Sequence, residues 1–170
     1  MDLAGLIRDV PDFPIEGILF KDVTTLLKDG QAFRETIRRL ADHYRGQPID
    51  QVVAIESRGF IFGAPLAYEL GSGLVPIRKP GKLPAETISV EYSLEYGSNT
   101  LQMHVDAIEP GQKILIVDDL LATGGSARAA IELAERLGGE VVGLAFVIEL
   151  TFLKGRDKLQ GYDAYSLVAF

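Results

Sequence analysis

The 170-residue chain contains no cysteine, so it forms neither a disulfide nor a thiolate metal site. No apolar run approaches the roughly 20 residues that span a bilayer. The opening Met1-Asp2-Leu3-Ala4-Gly5 is not a basic segment leading into an apolar one, so no secretory signal is expected. Basic charge is in deficit too: the net charge is −7 at pH 7, whereas nucleic-acid binders carry a basic footprint. That deficit does not exclude small anions, which are bound by local amides and a few positioned cations. Internal repeats, low-complexity tracts and linkers are missing as well. His43 and His104 have no partner at ligand spacing, so no zinc site is expected. What remains is a soluble, cytoplasmic protein of one domain, residues 1–170, binding neither nucleic acid nor membrane. Its 47% of hydrophobic residues supply a sizeable core.

Periodicity divides the chain into alternating strands and helices. Gln31 to Arg45 places Phe33, Ile37, Leu40, Ala41 and Tyr44 at helical spacing. Gln51–Ile55 reads as a buried strand, Phe60–Leu70 as a helix stopped by Gly71, and Leu74–Ile77 as another strand. Arg78-Lys79-Pro80-Gly81-Lys82-Leu83-Pro84 is basic and turn-rich. Thr87–Tyr92 and Leu101–Val105 alternate as a two-stranded ribbon does, with Leu101, Met103 and Val105 on one face. Lys113–Val117 is the clearest buried strand; a helix over Ala127–Leu137 follows, then strands over Val141–Ile148 and Tyr162–Val168. This order predicts an α/β fold, a mainly parallel central sheet with helices on both faces. Residues 1–28, dense in Pro, Gly and Asp, are expected to cap one end of it. Such sheets bind ligands beyond the carboxyl ends of their strands.

The chemistry concentrates in Val117-Asp118-Asp119-Leu120-Leu121-Ala122-Thr123-Gly124-Gly125-Ser126. A buried strand meets two carboxylates, and a small-residue loop then feeds a helix. Gly124 and Gly125 let the backbone approach a ligand, while Thr123 and Ser126 add hydroxyl donors. Free amides and the positive dipole end at the helix start favour a phosphate. Asp118 and Asp119 lie close enough to accept hydrogen bonds from sugar hydroxyls, so the geometry suggests a phosphorylated sugar. The lysine of a P-loop is missing, and no G-x-G-x-x-G follows the strand. An ordinary turn with solvated strand-end aspartates is the competing reading of this segment. Valine at Gly124 is expected to weaken phosphate binding far more than stability.

This segment resembles the phosphoribosyl pyrophosphate (PRPP) motif of the type I phosphoribosyltransferases. The longer Val-Asp-Asp-Leu-Leu-Ala-Thr-Gly-Gly resembles the adenine-specific members of that family. Phe13–Asp22, Glu56–Phe60, Arg78–Pro84 and Tyr92–Gly97 agree, in the family's order and over nearly the whole chain. The resemblance implies attack of a purine nitrogen on C1′ of PRPP, with release of pyrophosphate and formation of AMP in purine salvage. It implies that Ala122–Ser126 hold the 5′-phosphate and that Asp118 and Asp119 hold the ribose hydroxyls. Ser57 and Arg58 would serve the pyrophosphate, Arg58 also in catalysis, with further positive charge from Arg78, Lys79 and Lys82. Mg²⁺ would arrive mainly through the pyrophosphate. A flexible two-stranded flap would carry Glu95, a candidate to manage a proton on the base, and Tyr96, which would close over the reactants. Residues 1–28 would contribute to a base-binding hood, with Leu19, Phe20, Lys21 and Leu150 at the adenine. Lys21 stands where many relatives have arginine; a backbone contact there would survive the change, and the side-chain contact with base or sugar stays open. A homodimer is implied, and the Leu101, Met103, Val105 face offers apolar surface for it. A related enzyme for guanine, hypoxanthine, xanthine or orotate, a PRPP-sensing regulator and a non-catalytic nucleotide-binding domain are the alternatives.

Overall fold

The computed structural model describes residues 1–94 and 96–170. Its centre is a five-stranded, all-parallel sheet. Two antiparallel two-stranded ribbons accompany it: β1 (Arg8–Pro11) with β2 (Leu19–Asp22), and β5 (Thr87–Ser93) with β6 (Ser98–His104). The central sheet comprises β3 (Gln51–Ile55), β4 (Gly73–Ile77), β7 (Lys113–Leu121), β8 (Glu140–Glu149) and β9 (Ala164–Ala169) in the spatial order β4-β3-β7-β8-β9. The helices are the short α1 (Thr24–Leu27), then α2 (Gly30–Tyr44), α3 (Arg58–Leu70) and α4 (Gly125–Arg136). None of the helices among the described residues is long and apolar enough to cross a membrane.

Helices cover both faces of the sheet, so the central strands are apolar on both sides rather than alternating. Val52, Leu115, Val117, Ala145 and Val147 turn to one face, where they pack with Leu40, Phe62 and Leu66 of α2 and α3. Val53, Ile114, Ile116, Leu144 and Phe146 turn to the other, against Ala130, Ile131 and Leu133 of α4. The start of α2 is fixed locally. Asp29 accepts hydrogen bonds from the Gln31 and Ala32 amides at 2.9 and 3.0 Å, satisfying donors that have no partner inside the helix.

Three expectations change. The central strand does not end at Val117; β7 continues through both aspartates to Leu121. Its neighbour β8 is equally extended and keeps pairing with it, Leu120 with Ile148 and Leu121 with Glu149. The last main helix starts at Gly125, two residues before Ala127. The Leu101, Met103, Val105 stripe is not free surface. Leu101 and Met103 are buried in the core cluster that includes α4, and Val105 lies beyond the end of β6. An apolar ribbon face needs a partner, and here helix α4 of the same chain supplies it.

Met103 is fully buried, so Met103→Ala is expected to cost about 2–5 kcal/mol of unfolding free energy through lost burial and a cavity. Urea denaturation checks this. Because the face is internal, the sedimentation mass of the folded variant should equal that of the parent protein.

Candidate active site

The site forms where the sheet changes direction. From β3 the chain crosses to β4 on one side, and from β7 it crosses to β8 on the other, so β3 and β7 flank the switch point. The ladder between them runs from Gln51 with Ile114 to Ala54 with Val117, and β3 ends at Ile55. Beyond that point β7 is paired on one side only, by β8. The unpaired side opens a cavity of about 330 Å³. The aspartates begin where the β3 pairing stops.

Ser57, Arg58, Lys79, Asp118, Asp119, Ala122, Thr123, Gly124 and Ser126 all line this cavity, together with Glu56, Leu120, Leu121 and Ala127. The structure thus brings together the acid pair, the small-residue loop and two of the cations. Gly125 sits just behind, at the first turn of α4. No side chain caps that helix start, which leaves its first amides open toward the loop.

Asp118 and Asp119 are only 9% and 6% exposed. Arg58 Nε donates to Asp119 Oδ2 at 2.5 Å, and the Asp119 amide donates to Asp118 Oδ1 at 2.8 Å. Burial, followed by the charge of the adjacent Asp119, raises the Asp118 carboxyl above its ordinary range. Burial works against the charge of Arg58, yet the hydrogen bond and charge of Asp119 outweigh it and hold the guanidinium above its usual value. The competing picture of solvated strand-end aspartates does not fit this degree of burial.

The basic loop behaves differently from expectation. Arg78 and Lys82 do not line the cavity, because Glu56 holds them. Arg78 Nε donates to Glu56 Oε1 at 3.2 Å, Lys82 Nζ pairs with Oε2, and the Lys79 amide donates to Oε1 at 2.9 Å. Burial disfavours the Glu56 charge, but the bonds from Lys82 and the Lys79 amide prevail and hold the carboxyl below its ordinary value. Glu56 was missed in the sequence, although the signal is visible afterwards: a lone acid beside Ser57-Arg58, with three cations crowded into Arg78–Lys82.

The four residues expected around the base lie outside the cavity lining. Phe20 is half-buried, its ring 5.1 Å from that of Phe13 in an edge-on pair, with the Arg58 guanidinium 5.6 Å from its centroid. The first ribbon therefore reaches the site beside Arg58. Leu19 is exposed on the same strand. The Lys21 ammonium is engaged elsewhere, 2.5 Å from Asp9 Oδ1 and 3.9 Å above the Phe170 ring centroid. Leu150 donates its amide to the Leu121 carbonyl at 3.0 Å, just past the end of β8. Tyr96 is 89% exposed and closes over nothing in this conformation. Glu95 lies outside the described residues.

The glycine loop also revises an expectation. Gly124 has φ near 84°, and a β-carbon there would lie 2.5 Å from the Gly155 carbonyl oxygen. Valine at this position therefore strikes the packing of the loop as well as its backbone conformation, and stability falls along with binding.

A glycine-rich turn leading into a helix, with two shielded acids before it and cations opposite, all at the switch point of a parallel sheet, is equipped to grip a sugar that bears phosphates. The chain belongs to the phosphoribosyl transferase domain family, whose model matches residues 23–166. Within that family it groups with the adenine phosphoribosyltransferases. The adenine phosphoribosyltransferase of Chloroflexus aurantiacus is 63% identical over 169 residues, covering 99% of this chain and 98% of that protein. That of Halothermothrix orenii is 60% identical and covers 99% of each. The crystal structure of adenine phosphoribosyltransferase from Thermoanaerobacter pseudethanolicus superposes with a TM-score of 0.97 at 56% identity, over 99% of this chain and 98% of that one. The Saccharomyces cerevisiae enzyme, complexed with D-2,5-dideoxy-2,5-imino-altritol 1,6-bisphosphate and adenine, has a TM-score of 0.92 at 42% identity, over 98% and 96%.

The burial of Asp118 yields a prediction with a defined sign. A carboxyl raised in the folded state favours the neutral form, so its stabilising contribution is complete below the ordinary carboxylate value. That contribution is lost as pH rises through the raised one. Asp118→Asn keeps an acceptor for the Asp119 amide and removes the charge. It should raise Tm near pH 7 by roughly 2–4 °C, equivalent to about 1 kcal/mol, and the gain should shrink toward pH 4. Thermal melts across that range test it; a lower Tm at neutral pH would refute it.

Proposed function

We propose that the whole chain, residues 1–170, is one catalytic domain that transfers the phosphoribosyl group of PRPP to adenine, forming AMP and pyrophosphate in purine salvage. One observation carries the reading: Asp118, Asp119, Ala122, Thr123, Gly124, Ser126, Arg58 and Lys79 border a single cavity at the switch point. The loop amides, with the hydroxyls of Thr123 and Ser126, receive the 5′-phosphate at the positive end of α4. The acid pair accepts hydrogen bonds from the ribose hydroxyls. As the bond to pyrophosphate breaks, positive charge builds on the sugar, and two carboxylates already held in a shielded site favour it without reorganising.

The leaving group needs cations. Arg58 and Lys79 border the cavity, and Arg78 and Lys82 stand beside it on Glu56. Pyrophosphate competes with Glu56 for these side chains and draws the basic loop toward it. Among the described residues no group of three or more His, Asp or Glu side chains is placed to hold a metal ion. The carboxylates at the cavity are Asp118, Asp119 and Glu56; Glu56 is engaged by the basic loop, and the acid pair would suit a magnesium ion carried by its phosphates and by water. A magnesium ion held there would supply positive charge to offset that on the departing pyrophosphate.

The base enters from the β1–β2 ribbon, the hood formed within residues 1–28. Among the described residues strand β2 pairs with β1 alone, so its other edge offers backbone groups that none of the described strands takes up. Adenine presents an amino donor beside a ring acceptor, and an extended edge at Leu19–Lys21 answers with a carbonyl and an amide. Phe20 covers the ring face and Leu150 closes the opposite side. Glu95 manages the proton on the attacking base, and Tyr96 closes with the flap to exclude water. The reading includes a homodimer and a cytoplasmic location, the latter in keeping with a chain that lacks cysteine.

Hypoxanthine and guanine reverse the hydrogen-bond order of adenine. A site built for one pattern orphans groups of the other at roughly 1–3 kcal/mol each, or on the order of a hundredfold for two mismatches. Pyrophosphate release, measured with PRPP, Mg²⁺ and each base in turn, should show adenine ahead by that margin in kcat/KM. Phe20→Ala should lower the adenine constant. Equal or better use of hypoxanthine defeats the assignment of the base.

A further inference from the structure

Behind the cavity's glycine loop lies a second glycine. A β-carbon on Gly124 would be 2.5 Å from the Gly155 carbonyl oxygen. A β-carbon on Gly155 would overlap the Ala122 carbonyl oxygen and lie 2.9 Å from Leu121 Cδ1. The two turns are thus in close backbone contact, with the Leu121 side chain packed beside them. Wherever Gly155 sits, the 122–124 loop must follow.

The position of Gly155 is set by its neighbour. Arg156 donates Nε to Glu149 Oε1 and an Nη to Glu149 Oε2, both at 2.7 Å, and its other Nη donates to the Ala164 carbonyl at 2.5 Å. Glu149 is 7% exposed and is the last residue of β8, opposite Leu121 at the end of β7. Hydrogen bonds from Arg156 and its charge hold the Glu149 carboxyl below its ordinary range, so the pair stays ionised. A two-pronged bond from a planar guanidinium fixes direction as well as distance. One side chain therefore ties the turn at Gly155 to strands β8 and β9 together. Neither Glu149 nor Arg156 borders the cavity.

We propose that Arg156, gripped by Glu149, is a positioning residue for PRPP: it sets Gly155 beneath Ala122–Gly124 and so presets the loop amides at the spacing a phosphate group needs. The proposal rests on the assignment of the 5′-phosphate to that loop. Misplacement by a fraction of an ångström at a binding loop is enough to cost an order of magnitude in rate or affinity. The effect should fall on one substrate, because the base enters from the β1–β2 side and Leu150, which follows Glu149, is held by its own amide bond to the Leu121 carbonyl.

Steady-state kinetics with each substrate varied, alongside thermal melts, test this in Arg156→Lys and Glu149→Gln. Both are mild enough to fold, and the first keeps the charge while losing the fork. The expected result is a rise of about tenfold in the KM for PRPP, with the adenine KM within about twofold and the double variant no worse than the more affected single one. Thr123→Ala is run beside them as a direct probe of the loop. If Thr123→Ala raises the PRPP KM and the two variants do not, the positioning role is overturned and the site reading stands. If none of the three moves it, the phosphate sits elsewhere and both fall. An equal rise in both KM values with a lowered Tm marks a purely structural pair and also overturns the role.

Discussion

Two adjacent carboxylates, both nearly shielded from water, carry charge that the folded chain must tolerate at the end of β7. Like charges at such a distance repel, and burial makes each one costlier to ionise. Most of the architecture around the site answers that constraint. Arg58, at the first turn of α3, neutralises Asp119. The Asp119 amide satisfies Asp118. Pairing with the long strand β8 holds the acid pair in a ladder instead of a mobile loop, while the early end of β3 leaves one side open. The cost is borne in the ligand-free state, and a ligand that brings hydrogen-bond donors or positive charge to the pair would relieve it. Stability is held below its optimum at the point where chemistry requires charge.

The same economy governs the cations. A loop with Arg78, Lys79 and Lys82 would repel itself beside Arg58, and Glu56, its side chain largely covered, gathers it. An anion entering the cavity exchanges one set of counter-charges for another, so the protein need not create an exposed cluster of like charge. On the opposite wall the 122–126 loop uses no charge. It relies on open amides at the start of α4 and on the backbone contact between Gly124 and Gly155. Repulsion is managed by pairing on one side and by rigid dipoles on the other.

Much of this was legible in the residues. Lys113–Val117 reads as a buried strand because every position but the first is apolar, and Gly124-Gly125 marks a turn that approaches a ligand closely. The alternation of strands and helices was enough to expect a parallel sheet with both faces covered. What escaped detection depends on contacts between distant segments. The extension of β7 to Leu121 follows from the length of β8, whereas two aspartates in isolation look like a strand end. Leu101 and Met103 announce an apolar face without saying that α4 covers it. Glu56 acquires its role only when the fold lays residues 78–82 beside it. Glu149 and Arg156 meet across a 3₁₀ turn that composition does not reveal.

The central claim is that the paired aspartates at the open edge of β7 grip the ribose of PRPP. Isothermal titration of PRPP with Mg²⁺ into the folded Asp118→Asn, Asp119→Asn double variant tests it most directly, because binding is read without turnover. The account predicts that affinity falls by on the order of a hundredfold, the loss expected when two charge-assisted hydrogen bonds are weakened. Parent-like affinity in a variant with an intact cooperative melt would contradict it.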